Sequence, residues 1–403
     1  MSSTAEQMRA WRGPALLTYG FRPFFLGAGI WAVVIMALWL PMISASMTLP
    51  SAFDPVSWHA HEFLFGYLSA VVAGFLLTAV PNWTGRLPIV DWSLGGLFAL
   101  WLAGRVAIGL SIFLPPLAVA VIDLAMPVAL GLVIAREIVA GRNWKNLMVL
   151  GLLTAFTLAN ALFHWEAAHG FYAAQGYGLR LGIGAGVMMI GVIGGRVVPS
   201  FTRNWLVRRG EGRRPAPPMQ RFDKVALLLL LGALLLWVLW PAHWAAGGAL
   251  LLAGIAHAVR LARWAGYRTG AEPLVAVLHV AYAFVPIGAL AIGADVLWPG
   301  TLGTAAAQHL WMAGAIGLMT LAVMTRATLG HTGQPLRAGP GTVGIYVFVT
   351  VAVLARVAAG IWPSGAGALH LVAGLGWIGG FGGFVLIYGP LLLRLRPDKR
   401  RGR

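Results

Sequence analysis

Residues 58–81 read WHAHEFLFGYLSAVVAGFLLTAVP. His59, His61 and Glu62 open the run, and no further charged residue follows before Arg86. A helix rises 1.5 Å per residue, so a run of this length covers about 36 Å, enough for a hydrocarbon core of about 30 Å. It has no polar face to turn toward water. It reads as a membrane-spanning helix with ionisable groups gathered at one end. Apolar segments of similar length recur at 20–42, 92–112, 115–135, 147–166, 178–201, 223–241, 244–260, 274–296, 306–329, 341–361 and 367–393. The expected fold is therefore all-α, a polytopic membrane protein of about twelve transmembrane helices that forms one integral-membrane domain over residues 1–403.

Composition supports this reading. The chain is 59% hydrophobic and only 10% charged, with a mean hydropathy of +0.80. Soluble globular and disordered chains are excluded. An outer-membrane barrel is excluded because the apolar stretches are continuous rather than alternating. There is no cysteine, so disulfides, iron–sulfur clusters and thiolate-bound metals are ruled out. Any metal must rest on His, Met, Asp, Glu, Tyr or backbone.

The net charge is +17. With the N-terminus placed inside, all Lys and Arg except Arg22, Arg105, Arg180, Arg196 and Arg356 fall in or beside the inner segments, and the outer loops carry none. This asymmetry predicts both termini in the cytoplasm. The basic charge then faces anionic lipid headgroups rather than nucleic acid. The longest loop, 202–222, carries Arg208-Arg209 and Arg213-Arg214. It is expected to be a basic cytoplasmic linker between two six-helix halves.

A repeat links spans two, six and ten. Gly66, Gly184 and Gly314 are each followed eighteen positions later by Thr84, Thr202 and Thr332. His61 and His309 both stand five before their Gly, and Gly85 matches Gly333. The three spans run in the same direction, which suggests a pseudo-three-fold arrangement of four-helix units. Chance among Gly-rich helices is the alternative.

Ionisable groups inside a bilayer are costly and call for a role. His59 and His61 lie about 200° apart around a helix. Either His59 sits in a non-helical entry turn or the two serve different partners. His61 and His309 are expected at similar depth on spans of like direction, where they could ligate a haem iron from opposite sides or help bind copper. His59 is the next candidate metal ligand, and His164, His169 and His370 are candidate extra ligands near the outer face. His279 and His331, toward the inner face, are candidates for a second metal or a proton relay. The bland alternative for each is an interfacial histidine bonded to water or backbone. Arg105, Arg180 and Arg356 lie in the outer halves of their spans and need anionic partners. Glu62, Asp123, Glu166 and Asp295 could serve, and so could haem propionates. No phosphate loop, dinucleotide fingerprint or hydrolase motif occurs, and no catalytic residue is assigned.

These motifs resemble the NnrS family. The likeness rests on Gly20-Phe-Arg-Pro-Phe-Phe25, on Trp58-His-Ala-His-Glu62 with Gly74-Phe-Leu-Leu-Thr-Ala-Val-Pro-Asn-Trp-Thr-Gly85, on Arg196-Val-Val-Pro-Ser-Phe-Thr202, on Arg326-Ala-Thr-Leu-Gly-His-Thr-Gly333, and on Arg396-Pro-Asp398. In the tail, Lys399 stands where a Gly often follows the Asp. The resemblance implies a bacterial inner-membrane protein with haem b and copper. It also implies a role in nitric oxide metabolism and nitrosative-stress resistance, often beside denitrification proteins. It brings no ligand assignment. A secondary transporter of an anion or metal, and a non-catalytic haem-based sensor or assembly factor for denitrification enzymes, are the rival readings.

Overall fold

The computed structural model describes residues 13–85, 88–210 and 214–394. Every regular element among them is helical and none is a strand. Twelve of these helices are long and apolar enough to cross a membrane: α1 Phe21–Ile43, α2 Pro55–Pro81, α3 Asp91–Gly109, α4 Pro116–Ala140, α5 Trp144–Ala168, α6 Tyr177–Arg208, α7 Arg221–Leu239, α8 Trp244–Arg268, α9 Pro273–Leu297, α10 Thr304–Thr332, α11 Pro340–Ile361 and α12 Pro363–Leu393. The chain is a multi-pass membrane protein. Large apolar side chains such as Leu117, Leu132, Leu228, Leu354 and Leu386 are more than half exposed. In water such coverage would be an aggregation surface, whereas in lipid it is the solvated face.

The apolar criterion placed the helix centres well and some ends short. α6 continues past Phe201 to Arg208, because backbone hydrogen bonding does not stop where side chains become polar. Arg208 of the 202–222 segment is thus helical. Arg213 lies outside the described residues, as do Arg9, Arg12, Arg86 and the tail motif Arg396-Pro-Asp398. Local sequence sets other ends. Asp54 caps α2 by accepting from the Val56 and Ser57 amides at 3.0 Å each, with Pro55 at the first turn. Gln220 and Asp223 form a capping box on α7. Gly85 and Gly333 close their helices with φ of +71° and +76°, a conformation that favours glycine.

Four helices are the most buried. In α2, α6, α9 and α10, 72–78% of the central window is buried, against 33–44% in the other eight. Three of these four are the repeat-related spans, and each contains a π-helical segment: Glu62–Tyr67, Ile190–Gly194 and Leu310–Leu318. In α2 and α10 the segment starts four residues before the repeat glycine, Gly66 or Gly314. In α6 it starts six residues after Gly184. The repeat threonines also behave alike. Thr84, Thr202 and Thr332 each donate to the carbonyl four residues earlier, at 2.7–2.9 Å.

The packing divides into two compact units. One holds the chain through Ala174 with Met324–Leu336 and the segment from Phe381 on; the other holds Gln175–Val323 and Arg337–Gly380. In the first, α2 packs on α1 and α4, and α4 also packs on α3 and α5. Arg22 of α1 is buried there and donates to the carbonyls of Leu392 and Arg394 at 2.7 Å, satisfying the C-terminal end of α12. In the second, α8 packs between α7 and α9, and α10 packs on α9 and α11. Its buried ion pair is Arg260 with Asp223, at 2.9 Å.

Candidate metal centre

The start of α2 is helical from Pro55, so His59 and His61 leave the helix in different directions. His59 stacks on Trp39, with ring centroids 4.1 Å apart. His61 points into the first unit and is fully buried. Immediately after it the helix widens into the π segment, which carries Glu62 inward as well. α4 supplies Asp123. α5 supplies Asn160 and His164, four residues apart and therefore on one helix face. α3 supplies Arg105. All six side chains are buried.

Their hydrogen bonds form one connected network. His61 Nδ1 donates to Glu62 Oε1 at 3.0 Å. The same oxygen accepts from Arg105 Nη1 at 2.6 Å, and Glu62 Oε2 accepts from the Trp31 indole at 2.8 Å. Arg105 Nη2 donates to Asp123 Oδ1. Asn160 Nδ2 donates to Asp123 Oδ2 at 2.7 Å, which fixes the orientation of the amide. Asn160 Oδ1 therefore faces His61 Nε2 at 3.0 Å, with Asp123 Oδ2 3.3 Å from the same nitrogen. His164 Nε2 is 3.1 Å from Asp123 Oδ2.

The donor inventory exposes a deficit. With Nδ1 of His61 committed to a carboxylate, a neutral imidazole turns a lone pair at Nε2 toward two oxygen acceptors. The charges are also unequal, two carboxylates against one guanidinium. A proton or a metal cation among these lone pairs would satisfy them. His61, Asp123 and His164 each offer one ligand atom, and the three atoms lie within 4.8 Å of one another. The surroundings suit a bound ion. Glu62 stands where a carboxylate would support a ligating imidazole, and Arg105 holds the far oxygen of Asp123. Phe53, Phe65 and Phe163 have ring centroids 5.4–5.5 Å from that of His61 and keep the site apolar.

Gly66 makes room for the network. A Cβ at that position would lie 2.7 Å from Glu62 Oε2 and 3.1 Å from the Trp31 indole nitrogen. Its carbonyl accepts from the Trp101 indole at 2.9 Å. The glycine of the repeat thus leaves room for side chains from α1, α2 and α3 around the charged cluster.

The sequence profile of the NnrS protein matches residues 15–396. The chain belongs to the NnrS family. No curated protein matches it.

The remaining candidates of this NnrS-family chain have separate surroundings. Arg105 is occupied by Glu62 and Asp123, so its anions come from the protein. Arg180 donates to the carbonyls of Val238, at 3.1 Å, and Gln175, and lies over the Tyr177 ring. His309 Nδ1 donates to the Ala305 carbonyl at 2.6 Å. His169 Nδ1 likewise donates to the Trp165 carbonyl at 2.8 Å. His279 Nε2 is 2.7 Å from the Thr202 hydroxyl. That hydroxyl already donates to Val198, so the histidine is the donor. His331 packs against Phe21 with ring centroids 5.2 Å apart. His370 is half-buried near the start of α12.

Two members of the cluster were harder to find in the sequence. Asp123 was visible only as a partner for arginine, and Asn160 was not singled out. The available signal was Asn160-Ala-Leu-Phe-His164, two polar side chains at helical spacing inside an otherwise apolar span.

Proposed function

We propose that this chain is a bacterial inner-membrane protein of nitric oxide metabolism and nitrosative-stress resistance. Both termini and the 202–222 segment face the cytoplasm, and a buried ion on His61, Asp123 and His164 binds nitric oxide or an iron–nitrosyl species. The observation that carries the reading is the convergence of these ligand atoms in a buried cluster walled by phenylalanines, whose guanidinium, Arg105, is consumed by two carboxylates. An anionic substrate would find no free positive group there. A small neutral molecule needs none, which favours nitric oxide over anion transport.

The family resemblance brings haem b and copper, and both can be tested against the residues. Two imidazoles with a carboxylate suit copper in its divalent state. His309 suits haem iron, because its Nδ1–H is held by the Ala305 carbonyl and Nε2 keeps its lone pair. A bound metal supplies an open coordination position for a diatomic ligand. The protein's own part is to fix the His61 tautomer through Glu62, to hold Asp123 through Arg105 and Asn160, and to exclude water with the phenylalanines. Respiratory or denitrification proteins are the expected electron-transfer or docking partners.

The test is metal analysis with oxidised and reduced optical spectra of detergent-purified protein, before and after nitric oxide. It is run on wild type, His61→Ala, His164→Ala and His309→Ala. The expected result is loss of non-haem metal in the first two variants and loss of haem in the third. Full non-haem metal in both His61→Ala and His164→Ala would refute the assignment.

A further inference from the structure

A second group of polar side chains lies in the other unit, near the ends of α10, α11 and α12 away from the basic loops. Three glycine contacts give the register. Gly360 of α11 abuts α10, where a Cβ would lie 2.9 Å from the Leu302 carbonyl and also meet Ala306. The two helices are antiparallel, so one turn further in, Arg356 stands level with Leu310 and His309. Gly376 of α12 abuts the Phe348 carbonyl at 2.9 Å and Ala352 at 3.2 Å on α11. Moving outward by the same distance on both helices pairs His370 with Arg356. Gly317 of α10 abuts the Trp377 ring at 2.7 Å on the parallel helix α12. His309 stands eight residues before Gly317, and His370 seven before Trp377. All three contacts place His309, Arg356 and His370 within about one helical turn of a common level.

Among the described residues no carboxylate pairs with this group. Asp295, on neighbouring α9, accepts from the amides of Leu302 and Gly303 and from the Thr304 hydroxyl, at 3.0–3.3 Å, and is committed to that loop. Arg356 is half-buried in an apolar span and makes no hydrogen bond or ion pair among the described residues. A guanidinium in such surroundings without an anion is costly, and its planar fork matches carboxylate and phosphate oxygens.

We infer that this level of α10, α11 and α12 is a binding site for an anionic oxygen group, carboxylate or phosphate, received by Arg356 beside His309 and His370. Two sources present that chemistry: the carboxylates of a porphyrin, which rests on the haem reading above, and the phosphate of a lipid headgroup. Haem-free protein is titrated with haem b and with its dimethyl ester, which lacks the carboxylates. In parallel, retention of phosphatidylglycerol through delipidation is followed by native mass spectrometry. Both measurements are repeated on Arg356→Gln and Arg356→Lys.

A porphyrin source predicts that wild type binds haem about tenfold or more tightly than the ester. Arg356→Gln should erase the difference and Arg356→Lys should keep part of it. A lipid source predicts phosphatidylglycerol retained by wild type and lost from Arg356→Gln. If haem is not bound while the lipid result holds, the haem reading fails and the anion site stands. Equal binding of haem and ester, together with lipid retention unaffected by Arg356→Gln, overturns the site. Two readouts need only wild-type protein: equal binding of haem and ester, with no phosphatidylglycerol retained by wild type, overturns the site even where Arg356→Gln misfolds.

Discussion

Replacing Arg105 by Gln leaves Glu62 and Asp123 buried with their shared cation removed. At the 2.6 Å separation from Glu62 Oε1, an effective dielectric of about 20 gives a gross attraction of about 6 kcal/mol for that carboxylate alone. Most of this is offset by the cost of removing the ions from water. Removal of one partner from a buried pair costs about 3–5 kcal/mol net, a fall of roughly a hundred- to several-thousand-fold in the ratio of folded to unfolded protein. The assay is reversible unfolding in mixed micelles, followed by tryptophan fluorescence. The double variant Glu62→Gln/Arg105→Gln is the control, because it removes one of the two stranded charges. It should be at least about 1 kcal/mol more stable than Arg105→Gln alone. If Arg105→Gln stays within about 1 kcal/mol of wild type, or if the double variant is the less stable one, the guanidinium does not compensate these carboxylates. The charge balance argued for the centre then collapses.

Other consequences are open to direct measurement. Gly66→Ala pushes a methyl group against Glu62 and Trp31 and should cost about 1–3 kcal/mol by overpacking. Gly109→Ala, where a Cβ meets nothing within 4 Å, should leave unfolding almost unchanged. Glu62→Gln keeps the shape of the network but weakens the anchor behind His61, so affinity for copper(II), measured by competitive chelation, should fall about 10- to 100-fold; unchanged affinity would separate His61 from the ion. The absence of cysteine makes topology simple to probe. Ser46→Cys should react with a membrane-impermeant maleimide in intact cells, and Lys145→Cys only after permeabilisation, with the reverse pattern contradicting the assigned orientation.

The three arginines of the outer half-spans illustrate how far sequence reasoning reached. Each was recognised as a buried charge in need of an anion, because the bilayer penalises charge whatever the fold. Which anion each would meet was not written in local sequence. Arg105 meets Glu62, forty-three positions away, and Asp123 from the next helix. Arg180 settles on backbone carbonyls. Arg356 meets no carboxylate. The same holds for the histidines. The spacing of His59 and His61 required different partners if the segment is helical, and they have them. That His61 joins His164 through Asp123 depends on α4 and α5 bringing Asp123, Asn160 and His164 against the start of α2.

The length and continuity of the apolar runs determined a twelve-span helical membrane protein without any tertiary information. These properties follow from the solvent: apolar runs must reach across the bilayer and close their own hydrogen bonds. Tertiary structure decided which ionisable groups meet. A helix fixes the angle at which a side chain leaves its axis, while helix packing and a π turn fix what stands opposite. Inside the bilayer, where water cannot serve as a substitute partner, that opposing group determines whether a histidine packs against aromatic rings, bonds to a backbone carbonyl or faces a cation.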